Sequence, residues 1–163
     1  MQVELVRADL VVVGSLSAEV AVLVDDYERR LTRYVRFAVH EVKAEPVQRG
    51  ATVVLRTEAD RIEKVLDRVG GANGGPAGSA HVVALDSRGT DHTTERLAER
   101  WLAAPHLVLL IGGTLGLAPE VLARARERVS FGRITLPHQL ARLVATEQLY
   151  RSFRIARNEP YHF

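Results

Sequence analysis

His106-Leu-Val-Leu-Leu-Ile-Gly-Gly-Thr-Leu-Gly116 is an apolar run of strand length that ends on glycines. A run this short and this apolar reads as a strand buried on both faces, the kind found inside a parallel sheet. Glycines at its carboxyl end let backbone come close to a neighbour or a ligand, and open α/β sheets bind ligands along that edge. The same spacing also suits an ordinary tight turn from strand to helix. Gly112-Gly113-x-x-Gly116 is not a dinucleotide fingerprint, and no Gly-Lys-Ser/Thr follows to make it a phosphate loop.

Working outward, similar runs alternate with helical patterns. Upstream, Leu10-Val-Val-Val-Gly14 reads as a first strand, with Met1 to Ala8 as an extension before it. Ser17 caps a helix to about Tyr34 carrying Val20, Leu23, Val24, Tyr27 and Leu31 at helical spacing. Val35 to Val42 is a second strand, and Glu41 to Gly50 a polar connection. Thr57-Glu-Ala-Asp60 resembles a capping box opening a helix with Ile62, Val65, Leu66 and Val69. Gly70 to Gly78 is too glycine-rich for regular structure and reads as a flexible loop. His81 to Asp86 is a third strand, and a helix from Thr93 to Ala103 is stopped by Pro105. Downstream of the quoted run, Pro119 opens a helix to about Arg128, Ser130 to Thr135 is a fifth strand, and Pro137 opens a last helix, His138 to Ile155. The alternation predicts a single α/β domain, a mostly parallel sheet with helices on both faces.

Composition narrows the function. There is no cysteine, which removes disulfides, thiolate metal sites and cysteine nucleophiles. No apolar run is long enough to span a bilayer, and no basic segment followed by an apolar one marks a signal peptide, so a cytoplasmic protein is expected, with no membrane and no metal partner. The formal charge is only +2, yet Arg124 to Phe163 holds eight Arg against three Glu. Such a basic quarter is either a phosphate-facing surface or a solvated helix face.

The last helix carries an anomaly. Leu140, Leu143, Val144 and Tyr150 define one apolar face at 100° per residue, and Glu147 projects into it with Arg151 and Arg154 alongside. An acid-first pair four residues apart is favourable on a helix. Within an apolar stripe, however, it is costly unless satisfied or functional, and a structural salt bridge serves equally well at this point. His138 and the terminal Tyr161-His162 are the remaining titratable groups nearby.

Taken together, Val82 to Asp86, Leu110-Ile-Gly-Gly-Thr-Leu-Gly-Leu-Ala-Pro119, Ser130-Phe-Gly-Arg-Ile-Thr-Leu-Pro-His138, Arg142 to Arg151 and Asn158-Glu-Pro-Tyr-His162 closely resemble the RlmH family of SPOUT methyltransferases. Their order and spacing cover about the C-terminal half. The resemblance implies a C-terminal part, about residues 106–155, threaded into a trefoil knot, a rare exception to unknotted chains. It implies N3-methylation of a pseudouridine in large-subunit ribosomal RNA, as free RNA or assembled ribosome, with S-adenosylmethionine as donor. It implies a homodimer, the tail of one protomer completing the other's site. Carried over by position, Leu85, Gly112, Gly113 and the run Phe131, Gly132, Arg133, Ile134, Thr135 and Leu136 hold the cofactor, and a branched residue at Gly113 fills its space. His138, Glu147, Arg151, Tyr161 and His162 form the catalytic side, and Arg142, Arg151 and Arg154 meet RNA. The alternative is a non-catalytic or heterodimer-dependent relative that binds RNA or a partner chain.

Overall fold

A computed structural model of the chain describes residues 1–70 and 80–163. Five strands, β1 (Arg7–Val13), β2 (Arg36–Val42), β3 (His81–Asp91), β4 (His106–Ile111) and β5 (Glu127–Ser130), form one sheet in the order β2-β1-β4-β3-β5. Every neighbouring pair is parallel. The central strands β1 and β4 are buried along nearly their whole length, as the apolar runs require. Helices α1 (Ala18–Leu31), α3 (Thr94–Leu102) and α5 (His138–Ala156) cover one face, where Leu31, Trp101, Leu149 and Phe153 are all at most 1% exposed. Helices α2 (Ala51–Val69) and α4 (Pro119–Leu122) cover the other through Ile62, Leu66 and Val121.

Local chemistry sets several boundaries as expected. The Thr93 hydroxyl accepts the Arg96 N–H and caps α3, and Pro119 occupies the first turn of α4. Elsewhere tertiary contacts win. Helix α2 starts at Ala51, so Thr57 to Asp60 lie inside it; Gly50, at φ 93°, makes the entry, and Glu58 is buried with Oε2 accepting the Glu45 N–H. Helix α4 ends at Leu122 rather than near Arg128. The fifth strand is Glu127–Ser130, ahead of the predicted Ser130 to Thr135, because pairing of Leu85 with Val129 fixes its register. Beyond it Gly132 takes φ 107° and the Ser130 hydroxyl bonds Gly132 locally, which bends the chain out of the sheet. Strand β3 runs on to Asp91 with an irregularity between Leu85 and Thr90. The first strand begins at Arg7, and the preceding residues are no loose extension: the N–H groups of Glu4 and Leu5 donate to the Leu102 carbonyl, and Leu5 is buried. The glycine-rich loop expected at 70–78 lies, from residue 71 on, outside the described residues.

Two carboxylates tie the sheet together. Asp9, 1% exposed, accepts from His40 and His106 at 2.7 Å each and from Arg7 at 2.8 Å, joining β2, β1 and β4. Burial alone raises its pKa, but hydrogen bonds from His106, His40 and Arg7 outweigh that and hold it at about 2. Glu127 on β5 is likewise held at about 2: burial opposes ionisation, while His81 on β3 and Arg100 on α3 favour it more strongly. Both folded values lie below the ordinary ones, so the stabilisation is present above about pH 4 to 5 and lost as pH falls toward 2, roughly 2 to 3 kcal/mol for each group. The urea midpoint is therefore expected to drop steeply below pH 4. Asp9→Ala should lower stability near neutral pH by about 3 kcal/mol and flatten the acid limb. An acid limb as steep in the variant as in the parent chain would refute this role for Asp9.

Candidate functional site

The carboxyl ends of β3, β4 and β5 open on a cavity of about 420 Å³. One wall is the turn after β4. Gly116 donates to the Gly113 carbonyl at 3.0 Å and takes φ 80°, folding residues 112–116 back on themselves. A Cβ on Gly112 would lie 2.5 Å from the Gly116 carbonyl carbon, so only glycine fits. At Gly113 a Cβ would meet the Val13 side chain at 2.9 Å and the Glu58 carboxylate at 3.2 Å. That corrects the expectation for a branched residue there, which would press into the sheet behind the cavity rather than fill it.

The opposite wall is the loop after β5. Leu85, Gly112, Gly113, Phe131, Gly132, Ile134, Thr135 and Leu136 all line the cavity, while the exposed Arg133 does not. His138, the first residue of α5, lines it too. Its ring lies against Gly14, where a Cβ would be 3.1 Å from Nε2; at φ 91° that position also favours glycine. Sequence reasoning missed Asp86, Ser87 and Arg88, because the third strand was ended at Asp86 and its continuation carries no apolar signal. Asp86 Oδ1 accepts the Arg88 N–H at 3.3 Å, whereas Oδ2 is buried with no partner among the described residues. A buried, unpaired carboxylate oxygen at a cavity wall is an acceptor waiting for a donor.

The other expected catalytic residues gather elsewhere on α5. Glu147 Oε1 accepts from Arg151 Nε at 2.9 Å, Arg151 Nη2 at 2.6 Å and the Tyr161 hydroxyl at 3.0 Å. Arg151 Nη1 donates to His162 Nδ1 at 3.2 Å, and His162 Nε2 donates to Glu95 at 2.9 Å, a pattern that fixes the neutral tautomer with Nδ1 free of hydrogen. The Arg151 guanidinium also lies 4.6 Å from the Tyr161 ring centroid. Burial, reinforced by hydrogen bonds to Tyr27 and Glu147, pushes the Tyr161 hydroxyl well above the usual phenol range. Glu147 is thus fully engaged, not stranded in an apolar face.

The face itself also differs from the expected one. Helix α5 buries Ala145, Leu149, Tyr150 and Phe153, whereas Leu140 is 40% exposed and Leu143 and Val144 are only partly covered. Arg142, expected to meet RNA, is buried and bonded to Glu28 at 3.0 Å and Glu41 at 3.3 Å, so it ties α5 to α1 and β2. Arg154 donates to the Tyr34 hydroxyl and pairs with Glu159. His138 and Glu147 stand nine residues apart on one helix, roughly 13 Å along its axis. Within one chain, the cavity and the Glu147 cluster are therefore two separate places. No group of His, Cys, Asp or Glu suited to a metal ion and no membrane-length apolar helix occurs among the described residues.

Overpacking makes a test of the first wall. Gly112→Ala should lower stability by roughly 1 to 3 kcal/mol. Thr114→Ala, exposed in the same turn, should stay within about 0.5 kcal/mol. Equal urea midpoints for the two variants would count against the tight turn.

Comparison with known proteins places this arrangement. A family profile described as "Predicted SPOUT methyltransferase" matches residues 6–162. A protein named ribosomal RNA large subunit methyltransferase H from Rubrobacter xylanophilus is 47% identical over 96% of this chain and 98% of its own length. One of the same name from Anaeromyxobacter dehalogenans is 45% identical over 85% and 87%, and one from Bifidobacterium animalis is 38% identical over 94% and 98%. A solved structure described as "a probable methylase family protein" from Haemophilus influenzae shares the fold, with a TM-score of 0.54 at 12% identity over 96% of this chain and 70% of that one. A cavity between the glycine turn and the loop after β5, on a chain alike end to end with these relatives, leads to one assignment: the chain belongs to the SPOUT methyltransferase family and, within it, to the RlmH family.

Proposed function

We propose that the chain methylates large-subunit ribosomal RNA at N3 of a pseudouridine, with S-adenosylmethionine as donor, as a homodimer in the cytoplasm whose C-terminal part is threaded in a trefoil knot. The observation that carries this reading is the cavity between the glycine turn after β4 and the loop after β5, on a chain matched by the family profile over residues 6–162.

The residues present fit the donor. Leu85, Ile111 and Leu136 offer apolar walls that would suit an adenine ring, and Phe131, Gly132, Ile134 and Thr135 of the loop after β5 line the same cavity. The buried Asp86 Oδ2 lacks a donor among the described residues, and ribose hydroxyls or an ammonium supply one. A volume of about 420 Å³ suits a ligand of this size. When bound, the cofactor supplies an electrophilic methyl on a sulfonium.

The protein's part is placement and removal of the imide proton. Because the Tyr161 hydroxyl is held protonated, it donates its hydrogen to Glu147 and orients that carboxylate. His162 Nδ1, whose lone pair accepts the Arg151 N–H in this structure, would take the N3 proton once that contact opens, as the methyl leaves the sulfonium for N3. Glu147 fixes the Arg151 fork, and Arg151 and Arg154 steady phosphate or base edges.

The gap of roughly 13 Å between His138 and Glu147 on one helix motivates the dimer. A cluster too remote from its own cavity reaches a cavity when a second copy presents it. Val22, 71% exposed, and Leu23, 54% exposed, on α1 and Leu140 on α5 form apolar surface for that second copy to cover.

Methyl incorporation into unmethylated large ribosomal subunits tests the chemistry. His162→Ala and Arg151→Ala should each lose about 10²-fold or more in rate, with donor affinity unchanged by calorimetry. Asp86→Asn should weaken donor binding about tenfold. Retained rates in both of the first two variants would refute the assignment. The dimer has its own readout. Sedimentation should give twice the 18.0 kDa chain mass, and Leu140→Glu should yield monomers without activity. An active monomer would rule out the shared site.

A further inference from the structure

Helices α1 and α5 lie side by side, with the Ser17 N–H on Gln139 Oε1 at one end and the Arg154 guanidinium on the Tyr34 hydroxyl at the other. Their outward character changes along the pair. At the first end the exposed residues include Val22, Leu23 and Leu140, with Ser17, Ala18 and Glu19 beside them. At the far end they are arginines, and there a groove of about 330 Å³ opens between Arg29, Arg30, Arg33, Tyr34 and Arg154, with Asp26 the one acid on its wall.

Those cations are only partly neutralised. Asp26 pairs with Arg30 at 2.9 Å, but stands 3.9 Å from Arg29, whose side chain is 78% exposed. Glu159 pairs with Arg154. Arg33 in the groove and Arg157 at its rim have no carboxylate partner among the described residues, and the Arg157 guanidinium rests 4.6 Å from the Tyr34 ring centroid. Arginines in the last turn of α1 favour the helix dipole by themselves. That does not account for Arg154 and Arg157 converging on them from another helix.

The groove also lies beside the cluster that presents the acceptor base. Tyr161 packs edge-on against Tyr150 at 5.0 Å, and Tyr150 against Tyr34 at 6.1 Å, so the Tyr34 and Tyr161 rings are no more than 11.1 Å apart. These aromatics are not free for base stacking. Tyr150 is 6% exposed, and Tyr34 is already stacked on Phe153 at 5.3 Å. What the groove presents is a set of guanidinium forks, which match phosphate geometry. A protein interface is the poorer fit, because the exposed apolar residue of α5, Leu140, lies 14 residues, roughly 21 Å, from Arg154.

We infer that the groove formed by Arg29, Arg30, Arg33 and Arg154 holds backbone phosphates of the RNA strand next to the acceptor nucleotide. This rests on the RNA-methyltransferase reading above, and it adds α1 to the RNA-facing surface. Phosphate contacts set register on a nucleic acid without reading its sequence, so the groove fixes where the strand runs while the Glu147 cluster handles the base.

The test is binding of purified, unmethylated large ribosomal subunits to the full chain across a series of KCl concentrations. The double substitution Arg29→Ala with Arg33→Ala removes exposed side chains that neither touch the cofactor cavity nor support the core. It should weaken binding about tenfold at low salt and make the slope of log affinity against log salt shallower by about 1 to 2. Donor affinity and sedimentation mass should stay as in the parent, and Arg29→Lys with Arg33→Lys should restore the slope. An unchanged slope, with the parent chain binding and methylating normally, overturns the groove and leaves the proposed function standing. A double variant that dissociates into monomers overturns it as well, by making the groove a protein interface. A parent chain that neither binds nor methylates the subunits removes the proposed function and this inference together.

Discussion

The structure depends on a backbone-to-backbone approach that no side chain would permit. Gly112 leaves β4 against the carbonyl of Gly116, at a distance where even one methyl group would collide. Because the turn closes so tightly, α4 can begin at Pro119 and pack Val121 against the α2 face of the sheet. The loop after β5 then passes opposite the turn, and the space left between them is the cavity. Glycine's freedom is used a second time at Gly14, where the absent Cβ lets the His138 ring rest against the end of β1. The cavity is thus shaped by backbone and by what is missing from it. This suits a ligand read through an apolar ring and a few polar edges.

Helix α5 serves three neighbours with one sequence. Its buried residues Ala145, Leu149 and Phe153 anchor it to the sheet, and Arg142 draws in Glu28 of α1 and Glu41 of β2. Its first residue lines the cavity. Its second half carries Glu147, Arg151 and Arg154, linked to the chain's last residues through Tyr161, His162 and Glu159. Holding the tail down this way orders a segment that would otherwise fray, and it spaces the cluster about two and a half helical turns from the cavity. One rigid helix therefore holds the cavity and the Glu147 cluster a fixed distance apart.

What could be read from sequence follows from how local each cause is. The runs that became β1 and β4, the start of α3 near Thr93, Pro119 and the glycine turn act within a few residues, and they were legible. Of the nine residues that the family resemblance assigned to a cofactor, eight line the cavity. The start of α2 was not legible, since it is set by Gly50 and by Glu58 reaching back to Glu45. The place of β5 was not either, since it is fixed by pairing with β3, more than forty residues away. Arg142 looked like one more surface arginine; its partners lie 114 and 101 residues distant. The arginine groove escaped notice for the same reason, being assembled from α1 and α5, whose charges are unremarkable when counted separately.

The two edges of the sheet divide stability and function between them. At the starts of the strands, His106 and Arg7 close on Asp9, and His81 and Arg100 close on Glu127. These are hydrogen bonds to buried carboxylates, and those from the histidines join neighbouring parallel strands, which no hairpin connects. At the finishing ends there are no such ties, only glycines, a bent loop and a carboxylate oxygen without a partner among the described residues. A buried polar atom left unpaired costs stability. That cost is tolerable where the opposite edge is clamped. The clamped edge holds β3, β4 and β5 in register, and register is what brings Leu85, Gly112 and the loop after β5 around one cavity. A substitution at Asp9, at the opposite end of the strands, is in this sense a substitution in the foundation of the cavity.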